Sequence, residues 1–401
     1  MSAPSVAYLD HAATTPMVPE VAAVLTEQLG RPGNPSSLHG SGRAARRVVE
    51  ESRETIARAL GSRPGDVVFT SGGTEADNLA VRGIFEARRA ADPRRTRILV
   101  PAIEHHAVLD TVEWLAAHDG ARVDFVAVDA VGRLRVDDLR RRLEDGPDDV
   151  ALVSCMWANN EVGTVQPVAE IVAAAHAYDI PVHSDAVQAV GQVPVDFDVT
   201  GLDAMTVTAH KLGGPVGVGA LVVRREVDVA PLLHGGGQER QIRSGTLATA
   251  AIAAFAAAVD LAVRRQPEQA VRLETLRADL VRRARDVVPG LVVNGDPEPG
   301  PDHRLPGLAH LGFPGCEGDS LLMLLDAQGV ECSTGSACTA GVPQASHVLL
   351  AMGHDGARAR GSLRFSLGHS STPADVDAVI DALPAAYERA KAAGLTSVGG
   401  V

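Results

Sequence analysis

Residues 66–91, DVVFTSGGTEADNLAVRGIFEARRAA, contain the pattern that decides the fold. The apolar run at 66–70 predicts a buried strand, a glycine-rich turn follows, and from residue 75 to about 91 the apolar residues have helical spacing. The same alternation continues along the chain, with helices predicted at 108–117 and 168–176. Further strands are predicted at 97–101, 122–128, 150–156, 181–184, 204–208 and 219–223. Strands that alternate with helices predict a largely parallel, covered sheet of the α/β class.

The C-terminal part of the chain predicts a second, smaller unit. The run at 246–265 is rich in alanine and long enough for a connecting helix, and we expect Pro267 to interrupt it. Beyond Pro267 we expect a new helix near 268–286 and a strand near 291–294. The stretch at 296–307 is rich in proline and glycine and predicts an exposed loop.

The overall charge argues against two classes of partner. The chain has 37 basic and 50 acidic residues and a formal net charge of −13. No basic surface dominates, so we expect neither nucleic acid nor an anionic membrane as the main partner.

No stretch approaches the roughly 18 uncharged apolar residues of a membrane span. The first residues lack the pattern of a secretion signal, and we therefore expect a cytoplasmic protein.

Lysine is rare in this chain, since only Lys211 and Lys391 occur among the 37 basic residues. Arginine can replace lysine on most surfaces, but its guanidinium stays protonated and cannot act as an amine nucleophile. Lys391 lies in a predicted exposed helix end. Lys211 directly follows the strand predicted at 204–208 and precedes the glycine-rich stretch 213–219. This position suits a Schiff base to an aldehyde cofactor.

Two further segments carry groups that such a cofactor requires. Asp185 follows an apolar strand, where its carboxylate could pair with a cationic ring nitrogen, although it could equally cap a helix. The turn at 71–74 precedes a predicted helix, whose N-terminus favours phosphate, although glycine-rich turns are often only structural. Together with Lys211, these segments form the set expected for pyridoxal phosphate.

The cysteines differ in their surroundings. Cys155 and Cys316 have apolar or glycine neighbours, which predicts inert, packed thiols. Cys338 lies among glycine, serine, threonine and alanine, a composition typical of an exposed and reactive thiol. Cys332 and Cys338 form a poor zinc signature, so we expect no metal. A disulfide between them stays open, although a cytosolic compartment disfavours it.

Two other residues are candidates for contact with a ligand. His105 follows a predicted strand and could stack on an aromatic cofactor or transfer protons near pH 7. Arg364 lies in an apolar, strand-like run and therefore needs an anionic partner. That partner could be a substrate carboxylate or a structural salt bridge.

Taken in order, these segments resemble the cysteine desulfurases of the class V aminotransferase group, which are fold type I pyridoxal phosphate enzymes. The likeness covers nearly the whole chain, from the motif at 8–16 to the one at 364–368. The motifs between them lie at 34–37, 70–78, 104–110, 159–163, 183–188, 210–211, 234–240, 243–246 and 335–339.

The resemblance implies a fold and a domain organisation. A large domain, residues 16–262, would bind the cofactor on a mostly parallel seven-stranded sheet. A smaller α+β domain, residues 1–15 and 263–401, would carry the cysteine loop. The resemblance also implies a homodimer.

The resemblance implies a role for each site residue. Lys211 would hold pyridoxal phosphate as a Schiff base, Asp185 would pair with its ring nitrogen, and Gln188 would contact its phenolic oxygen. His105 would stack on the ring and help to move protons. Asn160 would contact the cofactor and, with Arg364, hold the carboxylate of L-cysteine. The phosphate would be bound by Gly73, Thr74, Thr208 and His210, together with Thr246 of the partner subunit.

The implied reaction converts L-cysteine to L-alanine and leaves the sulfur as a persulfide on Cys338. An acceptor protein would then take the sulfur for iron–sulfur cluster assembly or tRNA thiolation. A selenocysteine lyase and a class V aminotransferase remain alternatives, although a plain aminotransferase has no need for Cys338.

Two alternatives lie outside this cofactor class. A dinucleotide-dependent dehydrogenase would require a Gly-x-Gly-x-x-Gly turn, which the stretch at 71–74 lacks. A catalytically silent interaction protein would need neither Lys211 nor Cys338.

Overall fold

The computed structural model describes residues 6–335 and 345–398, with side chains described up to residue 393. The strands are β1 Ala7–Tyr8, β2 Val67–Thr70, β3 Arg97–Pro101, β4 Arg122–Val126, β5 Val150–Ser154, β6 Val182–Asp185, β7 Ala204–Thr208, β8 Gly219–Val223, β9 Val292–Asn294, β10 Leu308–Gly312, β11 Val330–Glu331 and β12 Ser362–Ser366. The helices are α1 Pro19–Leu29, α2 Gly40–Ala59, α3 Gly73–Ala91, α4 His106–His118, α5 Val136–Glu144, α6 Val168–His176, α7 Phe197–Thr200, α8 Thr249–Val287, α9 Gly318–Asp326, α10 His347–Ala351, α11 Gly356–Arg360 and α12 Pro373–Val398.

The large sheet has seven strands in the order β2-β8-β7-β6-β5-β3-β4. The pairs from β7 through β4 are parallel, whereas β8 is antiparallel to both β7 and β2. The predicted α/β class and the mostly parallel seven-stranded sheet are confirmed. Parallel strands bring their carboxyl ends to one edge, and Asp185 and Thr208 are the last residues of β6 and β7.

Both faces of this sheet are covered by apolar side chains. Along β2, Val67 and Phe69 join one hydrophobic core, while Val68 between them joins another on the opposite face. Successive side chains of a strand point to opposite faces, so a strand covered on both faces must be apolar throughout. This is why the strands appear in the sequence as continuous apolar runs.

A smaller sheet lies in the C-terminal part of the chain. Its strands β12, β10 and β9 are antiparallel neighbours, and the N-terminal β1 pairs with β11 nearby. A separate hydrophobic core joins the second half of α8 to α9 and α12. The domain boundaries at residues 15/16 and 262/263 remain a prediction.

Helix α8 corrects one expectation about the chain. It runs without interruption from Thr249 to Val287 and contains Pro267, so the predicted break and the separate helix near 268–286 are wrong. Proline in a helix interior costs about 3 kcal/mol because it removes a hydrogen bond and crowds the preceding turn. Ile252 is buried in a core of the large sheet and Leu280 in that of the small sheet. Packing at both ends therefore outweighs the local preference.

No helix within the described ranges is both long enough and apolar enough to cross a lipid bilayer.

Candidate active site

A cavity of about 420 Å³ opens at the carboxyl edge of the parallel strands. It brings together most of the predicted site residues, namely Gly73, Thr74, His105, Asn160, Asp185, Gln188, Thr208, His210, Lys211 and Arg364. Thr246 does not line this cavity and is exposed to solvent. Cys338 lies outside the described residues.

Lys211 is held against one wall of the cavity by backbone carbonyls. Its Nζ donates to the carbonyl oxygen of Ala13 at 2.6 Å and also to that of Ala12. Gln188 Nε2 donates to the same Ala12 carbonyl at 2.8 Å. Burial, assisted by the positive charge of Arg364, lowers the pKa of Lys211 to about 8. A substantial fraction of this amine is therefore neutral near physiological pH and can act as a nucleophile.

Asp185 caps a turn and also faces the cavity. Its Oδ1 accepts a hydrogen bond from the Val187 amide at 2.8 Å, so the carboxylate caps the turn after β6. Its side chain also lines the cavity. Burial raises the pKa of Asp185 to about 6, against the opposing effects of the Val187 hydrogen bond and Lys211. A cationic ring nitrogen beside it would restore the ionised form.

His105 begins helix α4 as its N-cap. Its Nδ1 accepts a hydrogen bond from the Ala107 amide at 3.1 Å. Burial, with the nearby charge of Lys211, lowers the pKa of His105 to about 4. The imidazole is therefore neutral at pH 7, which suits contact with an aromatic ring. Its predicted part in proton transfer remains a prediction.

The start of helix α3 lines the cavity with Gly73 and Thr74. Gly72 adopts a φ of +157°, which favours glycine, and the helix begins at Gly73. A Cβ on Gly73 would lie 3.1 Å from Val187 Cγ2, so a side chain there would crowd the cavity wall. Amide groups at a helix N-terminus attract phosphate. Thr74, Thr208 and His210 line the same cavity.

The chemistry of these groups fits pyridoxal phosphate. One cavity contains a lysine of lowered pKa for the aldehyde, a buried carboxyl group for the ring nitrogen and a helix N-terminus for the phosphate. We infer that the cavity can accept this cofactor.

Arg364 lies on β12 and points into the cavity from the small sheet. Its Nη2 donates to Asp10 Oδ1 at 2.7 Å, and its Nη1 donates to the backbone carbonyl of Asn160 at 2.9 Å. The Nε atom is buried and has no hydrogen-bond partner among the described residues. The structural salt bridge considered from the sequence is therefore present, while the guanidinium still faces the cavity.

Two buried acids beside the site were missed by sequence reasoning. Burial and the charge of Asp185 raise the pKa of Glu104 to about 8. Burial also raises the pKa of Asp77, whose Oδ1 has no hydrogen-bond partner within the described chain. Asp77 could have been found as an acid on the apolar face of a helix, because Ala80 and Ile84 are three and seven residues further along.

Comparisons with known proteins show the family of this chain. The family described as "Aminotransferase class-V" matches residues 7–379. The chain is 56% identical over 393 residues to the IscS-like cysteine desulfurase of Mycobacterium tuberculosis (strain ATCC 25618 / H37Rv), covering 98% of this chain and 99% of that protein. The chain belongs to the cysteine desulfurase family. This family is pyridoxal-phosphate-dependent, so a dinucleotide dehydrogenase is excluded.

Other cysteine desulfurases extend the agreement. The cysteine desulfurase IscS of Dictyoglomus turgidum (strain DSM 6724 / Z-1310) is 40% identical, covering 95% of this chain and 94% of that protein. A solved structure of a NifS-like protein superimposes on this chain with a TM-score of 0.86 and is 34% identical in sequence. The match covers 96% of this chain and 99% of the NifS-like chain. The predicted fold type I architecture is confirmed.

Proposed function

We propose that this cysteine desulfurase converts L-cysteine to L-alanine, holds the sulfur as a persulfide on Cys338 and passes it to an acceptor protein. The observation that carries the proposal is the buried amine of Lys211, whose pKa is lowered, in the same cavity as Asp185 and Arg364. This cavity combines a nucleophilic amine with a cation suited to an amino acid carboxylate.

The residues that would hold pyridoxal phosphate follow from this arrangement. Lys211 would be its covalent anchor, Asp185 its ring-nitrogen partner, and His105 and Gln188 would contact the ring and its phenolic oxygen. The phosphate would lie at the start of α3, against Gly73, Thr74, Thr208 and His210. When bound, the cofactor draws electrons away from the Cα atom of the substrate.

The chain's own residues would orient the substrate and move its protons. Arg364 and Asn160 would hold the carboxylate through charge-assisted and polar hydrogen bonds. Once displaced by the substrate amine, Lys211 Nζ would take the proton from Cα and return a proton during alanine formation. A pKa of about 8 allows this amine both to accept and to release a proton near neutral pH.

Cys338 would then remove the sulfur. Its thiolate would attack the substrate sulfur, the substrate carbon–sulfur bond would break, and that electron pair would stay with the carbon fragment that becomes alanine. The three described cysteines are poor candidates because all are buried. Burial raises the pKa of Cys316 to about 11 and that of Cys332 to about 12, and raises that of Cys155 well above its usual value. Since a thiolate is the nucleophile, their chemistry supports Cys338.

We also propose a homodimer, in which Thr246 contacts the cofactor phosphate of the partner subunit. The loop before Thr246 is tied to its own subunit: Arg53 pairs with Glu239 at 2.7 Å, and Arg243 pairs with Glu75 at 2.8 Å. Thr246 itself is exposed and absent from its own cavity, as such a role requires. The acceptor would serve iron–sulfur cluster assembly or tRNA thiolation, in the cytoplasm.

The proposal is tested by the absorption spectrum and by sulfur transfer. The chain loaded with pyridoxal phosphate should be yellow, and Lys211→Ala should lose the visible band. Cys338→Ala should keep the band yet lose persulfide formation and at least 100-fold of sulfur release, on the order of the loss expected for a catalytic nucleophile. Cys316→Ala, which changes a buried cysteine remote from the cavity, is the matched control and should retain both.

Two results would contradict this mechanism. A wild-type chain that stays colourless with added cofactor would exclude the proposed role of Lys211. Full sulfur release by Cys338→Ala would exclude the proposed sulfur acceptor.

A further inference from the structure

The segment from Asp10 to Thr15, which we call the N-terminal strap, contacts the cavity from both sheets. On the large-sheet side, its Ala12 and Ala13 carbonyls hold Lys211, and the Thr15 amide donates to the His210 carbonyl at 3.1 Å. On the small-sheet side, the Ala12 amide donates to Ser366 Oγ at 2.9 Å. The strap therefore connects the lysine to the strand that carries Arg364, although the mechanism above gives it no role.

Asp10 is the strap's charged contact with the substrate end of the cavity. Arg364 lines the cavity, whereas Asp10 does not. Asp10 thus contacts the guanidinium without lining the cavity, with 2.7 Å between Asp10 Oδ1 and Arg364 Nη2. A substrate carboxylate that enters the cavity would therefore not need to displace Asp10.

Two nitrogen atoms of the Arg364 guanidinium, Nη1 and Nη2, donate hydrogen bonds within the protein, and other N–H groups of the guanidinium remain available. Asp10 takes a hydrogen bond from Nη2, and the Asn160 carbonyl takes one from Nη1. A guanidinium carries further N–H groups in a rigid fork, and here the buried Nε has no partner among the described residues. The two hydrogen bonds at Nη1 and Nη2 fix the plane of the guanidinium and therefore the direction of its remaining N–H donors.

The contact with Asp10 is important because the Arg364 side chain is buried. The Arg364 side chain is only 5% exposed, while that of Asp10 is 23% exposed. A buried charge whose partner is removed is strongly destabilised and tends to reorient toward other groups. A long side chain that is fixed beforehand also loses less rotamer entropy when it binds its ligand.

We propose that Asp10 is a positioning residue for the substrate carboxylate: it fixes the plane of the Arg364 guanidinium so that the remaining N–H donors face the cavity. This inference rests on the proposed function, in which Arg364 binds that carboxylate. It predicts that Asp10 affects the binding of ligands that carry a carboxylate and leaves the binding of their neutral esters unchanged.

The test compares two ligands that lack a thiol and therefore cannot transfer sulfur. L-Alanine and its methyl ester are titrated against the pyridoxal-phosphate-loaded chain, and the visible band reports binding. Asp10→Asn should raise the Kd of L-alanine roughly tenfold, the scale of one charge-assisted hydrogen bond, and change that of the ester less than twofold. Asp137→Asn removes an exposed acid that pairs with Arg135 at 3.1 Å on the surface, and it should change neither.

A second background shows whether Asp10 acts through Arg364. In Arg364→Lys, adding Asp10→Asn should change the Kd of L-alanine less than twofold, because the planar fork is already absent. The inference is overturned if Asp10→Asn binds L-alanine as tightly as the wild type, if acid and ester are weakened equally, or if both substitutions weaken binding independently. A wild-type chain that shows no band, or no response to either ligand, would overturn the proposed function and this inference with it.

Discussion

At the residue scale, burial moves the ionisable groups of the cavity toward their neutral forms. It lowers the pKa of Lys211 to about 8 and that of His210 to about 4, and it raises that of Asp185 to about 6. Desolvation disfavours the charged form of acids and bases alike, so the shifts have opposite signs but the same cause. The cavity is thereby prepared for a ligand that brings its own charges.

The shifted pKa of Lys211 predicts the pH dependence of cofactor uptake. Only the neutral amine attacks an aldehyde, so the uptake rate of the cofactor-free chain should rise with pH and level off above about 8. The measurement is the rate of visible-band formation from pH 6.5 to 10. A rate that is still rising steeply at pH 10, as the ordinary lysine pKa of about 10.4 would give, would show that burial does not control this amine.

The raised pKa of Glu104 predicts that the folded chain becomes less stable as the pH rises. Its pKa is about 8 in the folded chain, compared with about 4.3 when unfolded. Between these values the folded chain binds more protons than the unfolded chain, so the free energy of unfolding should fall as the pH rises through that interval. Glu104→Gln removes this titration. We expect the cofactor-free variant to exceed the wild type in stability by about 5 kcal/mol at pH 8.5, and by about 1 kcal/mol at pH 5.

Urea unfolding at the two pH values measures this difference. Glu113→Gln changes an exposed acid on α4, the helix that begins two residues after Glu104, and should stay within about 0.5 kcal/mol of the wild type at both pH values. An advantage of Glu104→Gln that does not grow with pH would contradict the assigned protonation state.

At the element scale, α8 shows how packing controls a helix that contains a proline. Its first half packs on α1 and α2, and its second half packs on α12. Isolated helices depend on local propensity, whereas helices in proteins are stabilised mostly by burial of one face. The two hydrophobic cores therefore share one rigid element, which connects the sheet under Lys211 to the sheet that carries Arg364.

Because both cores share this helix, we expect a destabilising substitution in either core to lower the unfolding midpoint of both. Ile252→Ala and Leu280→Ala each remove a buried side chain and should cost about 2–5 kcal/mol. The tryptophans Trp114 and Trp157 both lie beside the large sheet, so their fluorescence reports the unfolding of that part of the chain. Both substitutions should nevertheless lower the urea midpoint that this fluorescence reports. Val271→Ala, 71% exposed on the same helix, is the control and should have little effect. If Leu280→Ala left the tryptophan midpoint unchanged, the two cores would unfold independently.

At the scale of the whole molecule, one chain leaves its own cavity without Thr246. The proposed dimer therefore predicts complementation between two defective chains. Lys211→Ala should be inactive, and Thr246→Ala should bind the cofactor about tenfold more weakly, on the scale of one charge-assisted hydrogen bond to phosphate. In a mixed dimer, the Thr246→Ala subunit keeps its own Lys211 and receives Thr246 of the partner subunit.

Mixing the two variants should therefore restore activity at limiting pyridoxal phosphate, and sedimentation should show a dimer. The mixture of Lys211→Ala with wild type, matched in active-chain concentration, is the reference. No gain over unmixed Thr246→Ala after subunit exchange would place Thr246 outside the partner's site.

Much of the fold and most of the site could be predicted from local patterns. Apolar runs, the turn at 71–74 and the rare Lys211 follow from residues that are neighbours in sequence. Such neighbours fix strands, helix starts and the carboxyl edge of a sheet. The order of the motifs then indicated the family, the cofactor and the seven-stranded sheet.

Other features depend on residues that are far apart in the chain. The Asp10–Arg364 pair joins residues 354 positions apart, and Asp77 and Glu104 gain their shifted pKa values only where separate elements enclose them. The continuity of α8 through Pro267 likewise depends on two cores that no local window contains. The sequence by itself therefore determined which groups carry the chemistry, because residue type and local period encode them. Only the tertiary structure decided how those groups are charged and held, because burial and long-range contacts set both.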